Sequence, residues 1–560
     1  MRVSSNMIFD QSVRTMNQQT SDLLHTQQQI STGRRILTPS DDPVAAAQAL
    51  QVTQAQDINT QYATNQSNAQ SSLGLEDSQL SSVSDILNSV RTLAVQGANS
   101  TLSNSDRASI ATQMRASFSE LLGIANATDG NGQYLFSGYQ GDTQPFSATV
   151  GGNPPSTYAG DNGQRLQQVA ASRQIPVSDS GNAVFNDIKS GNGLFATSYA
   201  VDPSTKLPTN TGTGVIDGGS ITDPTKWNNA SNSGQYQVRF AGISTATGSV
   251  GVPSGGFTGI AAGNDKFTLS IDGAAPTTIT IPTPTTPGTF NPSTAADLAA
   301  LQANIDAALG AGVAKVSVDA SGHLVVTAVG ATTGTGVAIG AVPGNGGMAS
   351  VFGTTTNTAP STNYDIVDAS TGANNGMSVF SNPPGTTSGV STYTHAYTSG
   401  QPISLSGMSL YGTNATDFGA SVTITGAPAN GDSFSIAPST NQSVFTTLSN
   451  LITSLESNAT GTPAGAAKFA TDMGSALTNI DQASQNILTV RASVGSRLNE
   501  ITALGSSNST TNLQLSQTLS TLQDVDMAKA ISDLTQQQTG LQAAQQSFAK
   551  VSQLSLFSYL

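Results

Sequence analysis

Cysteine is absent from the 560 residues. That excludes disulfides and thiolate metal sites, and it leaves the compartment open, since cytosolic and secreted proteins alike can lack the residue. Charge is also scarce. Charged residues make up 10% of the chain, and 20 Lys and Arg stand against 34 Asp and Glu for a net charge of −14. Without a cationic surplus to neutralise phosphates, a nucleic-acid partner is not expected. No apolar run reaches the roughly 20 residues of a membrane-spanning helix, and the first thirty residues hold no uninterrupted apolar segment of the kind a Sec signal needs. The expectation is a protein that is cytosolic or leaves the cell by a route that reads no classical signal.

Catalytic and metal-binding patterns are missing too. His25, His323 and His395 stand singly, so no zinc site with neighbouring ligands can be assembled. The Gly-rich runs near Gly212 and Gly334 lack the strand, helix and remaining fingerprint of a nucleotide site. Asp129-Gly130-Asn131-Gly132 reads as a turn, because no acidic residue closes a calcium loop at the required distance. Asp41 and Asp42 read as helix-capping groups rather than a catalytic pair, since adjacent side chains there do not converge. Met7, Phe9 and Met16 have no basic face beside them, which favours helix packing over membrane insertion. The expectation is no enzyme, no cofactor and no metal.

What the chain does have is a sharp partition. Before Pro145 the only prolines are Pro39 and Pro43, and after Pro463 there are none. Helical ends therefore enclose a Gly-, Pro- and Thr-rich centre. Near the N-terminus Phe9, Met16, Leu23 and Ile30 recur every seven residues, and near the C-terminus Leu534, Leu541 and Phe548 do the same with Val551 following. Each set forms one narrow apolar seam on a helix, flanked by Gln, Ser and Thr. Such a seam is too thin to stabilise a lone helix in water. The partners it calls for are the other seam and the same segments of neighbouring copies, which points to a polymer.

Between the seams lie two long helical stretches with three-four spacing, one carrying Leu73, Leu80 and Leu87, the other Ile487, Val494 and Leu498. These are the expected bundle core. Asp42 with Pro43 at the first helical position starts the first stretch. Ser103 and Asp106 form a capping box for a shorter helix that folds back. Gly505 to Asn508 is a candidate bend, and Asp524 or Asp526 a cap before the final seam. In the centre, Arg165–Ala170, Tyr236–Phe240 and Val422–Thr425 read as strands, with Gly431-Asp432 as a turn. A ββ-α-ββ pattern runs from Phe267 to Val326, with soft edges near Gly242 and Ser361.

The predicted fold class is α+β multidomain, a long antiparallel helical bundle or coiled coil formed by the N- and C-terminal arms, with β-rich domains in the middle. The expected divisions are 1–42 (assembly helix and loop), 43–146 (bundle), 147–241 (first β-rich part), 242–361 (inserted outer domain), 362–440 (second β-rich part), 441–525 (bundle) and 526–560 (assembly helix). Arg34, Arg35, Arg491 and Arg497 stand out in so cation-poor a chain. They either pair with Asp41, Asp42 or Glu500 at subunit contacts or sit on a solvated face.

Several motifs then add a resemblance. Ser31-Thr32-Gly33-Arg34-Arg35-Ile36 with Pro39-Ser40-Asp41-Asp42-Pro43, Tyr134-Leu135-Phe136-Ser137-Gly138, and Gly160-Asp161-Asn162-Gly163-Gln164-Arg165 resemble the flagellin superfamily. The opening Met1-Arg2-Val3-Ser4-Ser5-Asn6-Met7 and the ending from Asp524-Val525-Asp526-Met527-Ala528 to Ser555-Leu556-Phe557-Ser558-Tyr559-Leu560 are similar to members that join hook to filament rather than to filament flagellin. The likeness is weak between Gly242 and Ser361. It implies a structural subunit that leaves unfolded through the flagellar type III export channel, aided by an export chaperone. It also implies a tubular homo-oligomer between hook-associated protein 1 and flagellin, whose terminal segments order on assembly. Filament flagellin is the alternative within the superfamily. A coiled-coil surface adhesin is the alternative from another class, and it would call for a Sec signal and an anchor.

Overall fold

A computed structural model describes residues 5–201, 209–228, 232–331, 336–370, 378–379, 393, 395–405, 417–457 and 461–553. In chain order its principal elements are helices α1 (Ser5–Thr32), α2 (Pro43–Gly97) and α3 (Asn104–Ala125), then strands β1 (Leu166–Ala170), β2 (Arg173–Pro176), β3 (Phe195–Tyr199), β4 (Tyr236–Gly251), β5 (Lys266–Ile271) and β6 (Thr277–Thr280). Helix α4 (Ala295–Leu309) precedes β7 (Ala314–Val318), β8 (His323–Val329), β9 (Val337–Ala341), β10 (Ser361–Asp368), β11 (Ala420–Thr425) and β12 (Ser433–Pro438). The chain returns to helices with α5 (Val444–Glu456), α6 (Pro463–Gln523) and α7 (Met527–Gln553). The fold is α+β and multidomain, as the Pro and Gly partition indicates. Two units divide it: Met1–Asp77 with Gln164–Ser178 and Ala492–Leu560, and Ser78–Gly163 with Asp179–Arg491.

The first unit is almost all helix. Its stretches of α2 and α6 run antiparallel: Asn59 and Asn508 each donate a side-chain amide to the other's carbonyl, at 2.9 and 3.0 Å, and Gln56 donates to Ser516 at 3.0 Å. Ala45, Ala49, Ala69 and Leu73 of α2 and Val494 and Ile501 of α6 are buried. The β1–β2 hairpin is tied to both helices. Asn65 and Gln66 donate to the carbonyls of Gln168 and Val169, both at 2.8 Å, and the Arg173 guanidinium meets Glu500 through two bonds. These amides satisfy strand carbonyls that would otherwise be stranded against a helix. Helix α6 is continuous through Gly505 to Asn508, the candidate bend. A lone helical Gly costs only about 1 kcal/mol, too little to interrupt a helix held on both sides.

The second unit holds the rest of both long helices, α3, α5 and the β-rich centre. The capping box forms as read: the Asp106 N–H donates to Ser103 Oγ at 3.2 Å and the Ser103 N–H to Asp106 Oδ2 at 3.1 Å. Leu80, Val83, Leu87 and Val90 of α2 are buried, as are Met473, Ile480 and Ile487 of α6. Arg91 pairs with Asp481 at 2.8 Å, and Arg115 holds Glu456 with two bonds of 2.9 and 2.8 Å. Strand β4 organises the β-rich part. Its 16 residues pair with β10 from Tyr236 to Ile243 and with β8 from Ile243 to Gly251. Its first half gives Tyr236, Val238 and Phe240 to one core, which also holds Phe418, Phe434 and Trp227. Its second half gives Ala246 to another core built from Phe267, Phe290, Leu301, Ile305 and Phe352.

That second core contains the expected ββ-α-ββ pattern with a strand the sequence did not reveal. β9 pairs with β5, so the β5–β6 hairpin sits in a three-stranded sheet, while β7 and β8 join the sheet of β4. Gly242 and Ser361 lie next to each other on the β4–β10 ladder, whose register pairs Thr362 with Gly242 and Ser361 with Ile243.

Candidate assembly surface

Helices α1 and α7 pack on one another, and their seams meet. The rings of Phe9 and Phe548 lie 4.9 Å apart at 48°. Helix α7 begins where Asp526 accepts the N–H groups of Ala528 and Lys529, at 3.0 and 3.1 Å, which makes it the cap. Such a cap stabilises the first turn by about 1 kcal/mol. Burial along the seam is incomplete throughout. Phe9 is 51% exposed, while Met16, Leu23, Ile30, Leu534, Leu541 and Phe548 are half-buried. Met16 and Phe548 line a groove of about 250 Å³ together with Gln11, Ser12, Thr15, Ala544 and Ser547. Met7, Leu24, Met527 and Ile531 are exposed outright. The side chain of Val551 and the ending Ser555–Leu560 lie outside the described residues.

The flanking threonines satisfy their own hydroxyls. Thr15, Thr20, Thr26, Thr32, Thr535 and Thr539 each donate the hydroxyl to the carbonyl four residues back, at 2.8 to 3.0 Å. A hydroxyl so satisfied strands no donor when covered. Half-covered apolar residues between such threonines can therefore accept a further helix without a large desolvation penalty. Completing their burial would contribute about 1 kcal/mol per side chain.

The Arg- and Asp-rich motif forms the joint behind this pair. Gly33 adopts a φ of +70°, a left-handed conformation that ends α1. The next residues bridge to the joint between α6 and α7: the Arg35 N–H donates to the Gln523 carbonyl at 2.6 Å, and the Val525 N–H to the Gly33 carbonyl at 3.0 Å. The Arg35 guanidinium donates to the Leu522 carbonyl at 2.8 Å and lies 3.3 Å from Asp42. Asp42 accepts the Ala45 N–H at 3.0 Å and so caps α2. Asp41 does a different job, accepting the N–H groups of Leu37 and Thr38, both at 2.8 Å, with His25 Nε2 3.3 Å away. Those N–H donors, Thr38 first, bring the Asp41 carboxyl down to about 2, because each bond favours the ionised form. Asp42 is lowered too, chiefly by the Ala45 N–H and then by Arg35.

The other quoted residues are placed as follows. Leu73, Leu80, Leu87, Ile487 and Val494 are buried, and Leu498 is half-buried. Glu500 takes Arg173 as its partner, a residue 327 positions away that no spacing rule could single out. Arg497 donates to Ser493 Oγ at 3.1 Å. In the second unit Tyr134–Gly138 docks on Gly160–Gly163. Asp161 Oδ1 accepts the N–H groups of Tyr139 and Gly163, at 3.0 and 2.7 Å, and the Asp161 N–H donates to the Ser137 carbonyl at 3.1 Å. These two motifs brace each other. Among the described residues no three His, Asp or Glu side chains are grouped as a metal ion would need, and no helix is long and apolar enough to cross a membrane.

Comparison with known proteins bears on the same two ends. Residues 3–141 match the bacterial flagellin N-terminal helical region, and residues 477–560 match the bacterial flagellin C-terminal helical region. The chain is similar to flagellar hook-associated protein 3 of Escherichia coli strain K12, with 39% identity over 190 residues, 34% of this chain and 58% of that protein. It is 37% identical, over the same shares, to flagellar hook-associated protein 3 of Salmonella typhimurium strain LT2. The match thus spans 58% of the length of these curated relatives. In fold it is similar to the crystal structure of flagellar hook associated protein-3 from Legionella pneumophila, with a TM-score of 0.52 and 23% identity, covering 84% of this chain and 98% of that one.

Proposed function

We propose that the chain, which matches the bacterial flagellin helical regions at both of its ends, is a structural subunit forming the junction between the hook and the filament of the bacterial flagellum. It carries no enzymatic activity. The observation that carries the reading is the α1–α7 pair, whose seam is formed but only half covered within one chain. In the assembly the pairs of successive copies stack into a tubular inner layer and finish that burial, so polymerisation and ordering of the ends are one event.

The same thin seam suits passage through a type III export channel. A segment that buries little in isolation costs little to unravel, and an export chaperone would shield its apolar stripe until delivery. Once outside, the subunit would contact hook-associated protein 1 on the hook side and flagellin on the filament side. Electron microscopy of cells lacking the gene tests this. Hooks without filaments, with flagellin shed into the medium, are the expected result. Short or absent filaments without shed flagellin would instead make the chain a filament flagellin, and normal filaments would remove it from the flagellum altogether.

A further inference from the structure

Helices α2 and α6 run antiparallel, so the positive N-terminal end of α2 stands beside the negative C-terminal end of α6. Arg35 sits between them. Its backbone N–H takes the Gln523 carbonyl and its guanidinium the Leu522 carbonyl, two of the last carbonyls of a 61-residue helix, which have no partner further along the helix. The same guanidinium faces Asp42, which caps α2. Helix dipole, cation, carboxylate and helix dipole thus alternate in sign through one side chain. On the other side, α1 grips the loop that carries Arg35. Gln29 donates to the Arg35 carbonyl at 2.5 Å, and His25, one turn earlier, faces Asp41.

We propose that Arg35 is the positioning residue of the assembly surface: it fixes the angle at which the α1–α7 pair leaves the α2–α6 pair. The α1–α7 contact itself does not depend on it, because Phe9 and Phe548 lie far along both helices from the joint. The inference rests on reading α1–α7 as the assembly pair, since a copy can stack on its neighbour only if every copy presents that pair at one angle.

The absence of native cysteine makes the test direct. Spin labels at Asn17→Cys and Gln54→Cys report α1 against α2, and labels at Asn17→Cys and Gln545→Cys report α1 against α7. In the full-length parent, labelled in trace amount and co-assembled with unlabelled chain, both distances should be single narrow peaks. Arg35→Ala should lose the narrow Asn17 to Gln54 peak and keep the Asn17 to Gln545 peak. Arg35→Lys, which keeps the charge but cannot reach the Leu522 carbonyl and Asp42 with a planar fork, should fall between. A narrow Asn17 to Gln54 peak in Arg35→Ala, or loss of both peaks together, overturns the assignment. If instead the parent chain shows both narrow peaks yet cells lacking the gene make normal filaments, the junction reading fails and the joint stands.

Discussion

Asp41 and Gly138 show how single residues hold the quoted motifs. Asp41 is ionised in a nest of two N–H donors, so its folded carboxyl sits near 2 against an ordinary value of 3.8. A lowered acid contributes stability that is fully present above 3.8 and is lost as pH falls through about 2, since only the ionised form holds both donors. The loop from Leu37 to Asp41 should therefore keep its geometry at about pH 4. A carbon-detected titration of the Asp41 carboxyl checks this, and a midpoint near the ordinary aspartate value would contradict it. Gly138 has a φ of +73°, and a Cβ there would lie 2.2 Å from Asp161 Oδ1. Gly138→Ala should cost at least about 2 kcal/mol, from left-handed backbone strain plus displacement of Asp161. Urea denaturation followed by the buried aromatics of the second unit reads the cost as a lower midpoint.

At the scale of elements, the α1–α7 pair differs from α2 and α6 in one physical respect. Buried residues recur along α2 and α6, whereas Ala530 and Thr26 are the fully buried positions among the described side chains of the terminal pair. A charge in the terminal seam should thus unpair two helices and nothing else. Phe548→Asp should stop polymerisation, raise amide exchange across both α1 and α7 relative to the assembled parent, and leave α3 and α5 protected, because an unpaired carboxylate in a packed seam costs several kcal/mol. Unchanged exchange in α1 would mean that the two helices do not depend on each other. Leu541→Asp, one heptad earlier, should behave alike.

At the scale of the whole molecule, the β-rich centre holds two separate cores, and the one within Ile243–Pro360 can be removed as a single segment. Strands β4 and β10 are continuous, yet the residues flanking Ile243–Pro360 are neighbours on one ladder. Deleting Ile243–Pro360 and joining Gly242 to Ser361 through Asn-Gly leaves Gly242 paired with Thr362 across a three-residue loop, Asn-Gly-Ser361, a length hairpins commonly use. The core around Tyr236, Phe240 and Phe434 should still form, and filaments should still assemble. A shortened chain that folds but builds no filament would show that the removed segment supplies a contact between copies. The fluorescence of Trp227, which belongs to the remaining core, distinguishes that outcome from simple unfolding.

The sequence by itself determined whatever depends on neighbours along the chain. Helix extents followed from Pro and Gly placement, the caps at Asp42 and Ser103 from local donors and acceptors, and the two seams from their seven-residue period, while the choice of Asp526 over Asp524 as the last cap came from the structure. Three-four spacing likewise marked Leu73, Leu80, Leu87, Ile487 and Val494 as inward-facing. Only the tertiary structure decided what joins distant segments. It chose Arg173 for Glu500, laid β9 beside β5, ran β4 through two cores and set Arg35 between the ends of two long helices. Hydrogen bonds and ladders of that kind are chosen by which surfaces the packed helices and sheets bring within reach, and no period in the chain records that choice.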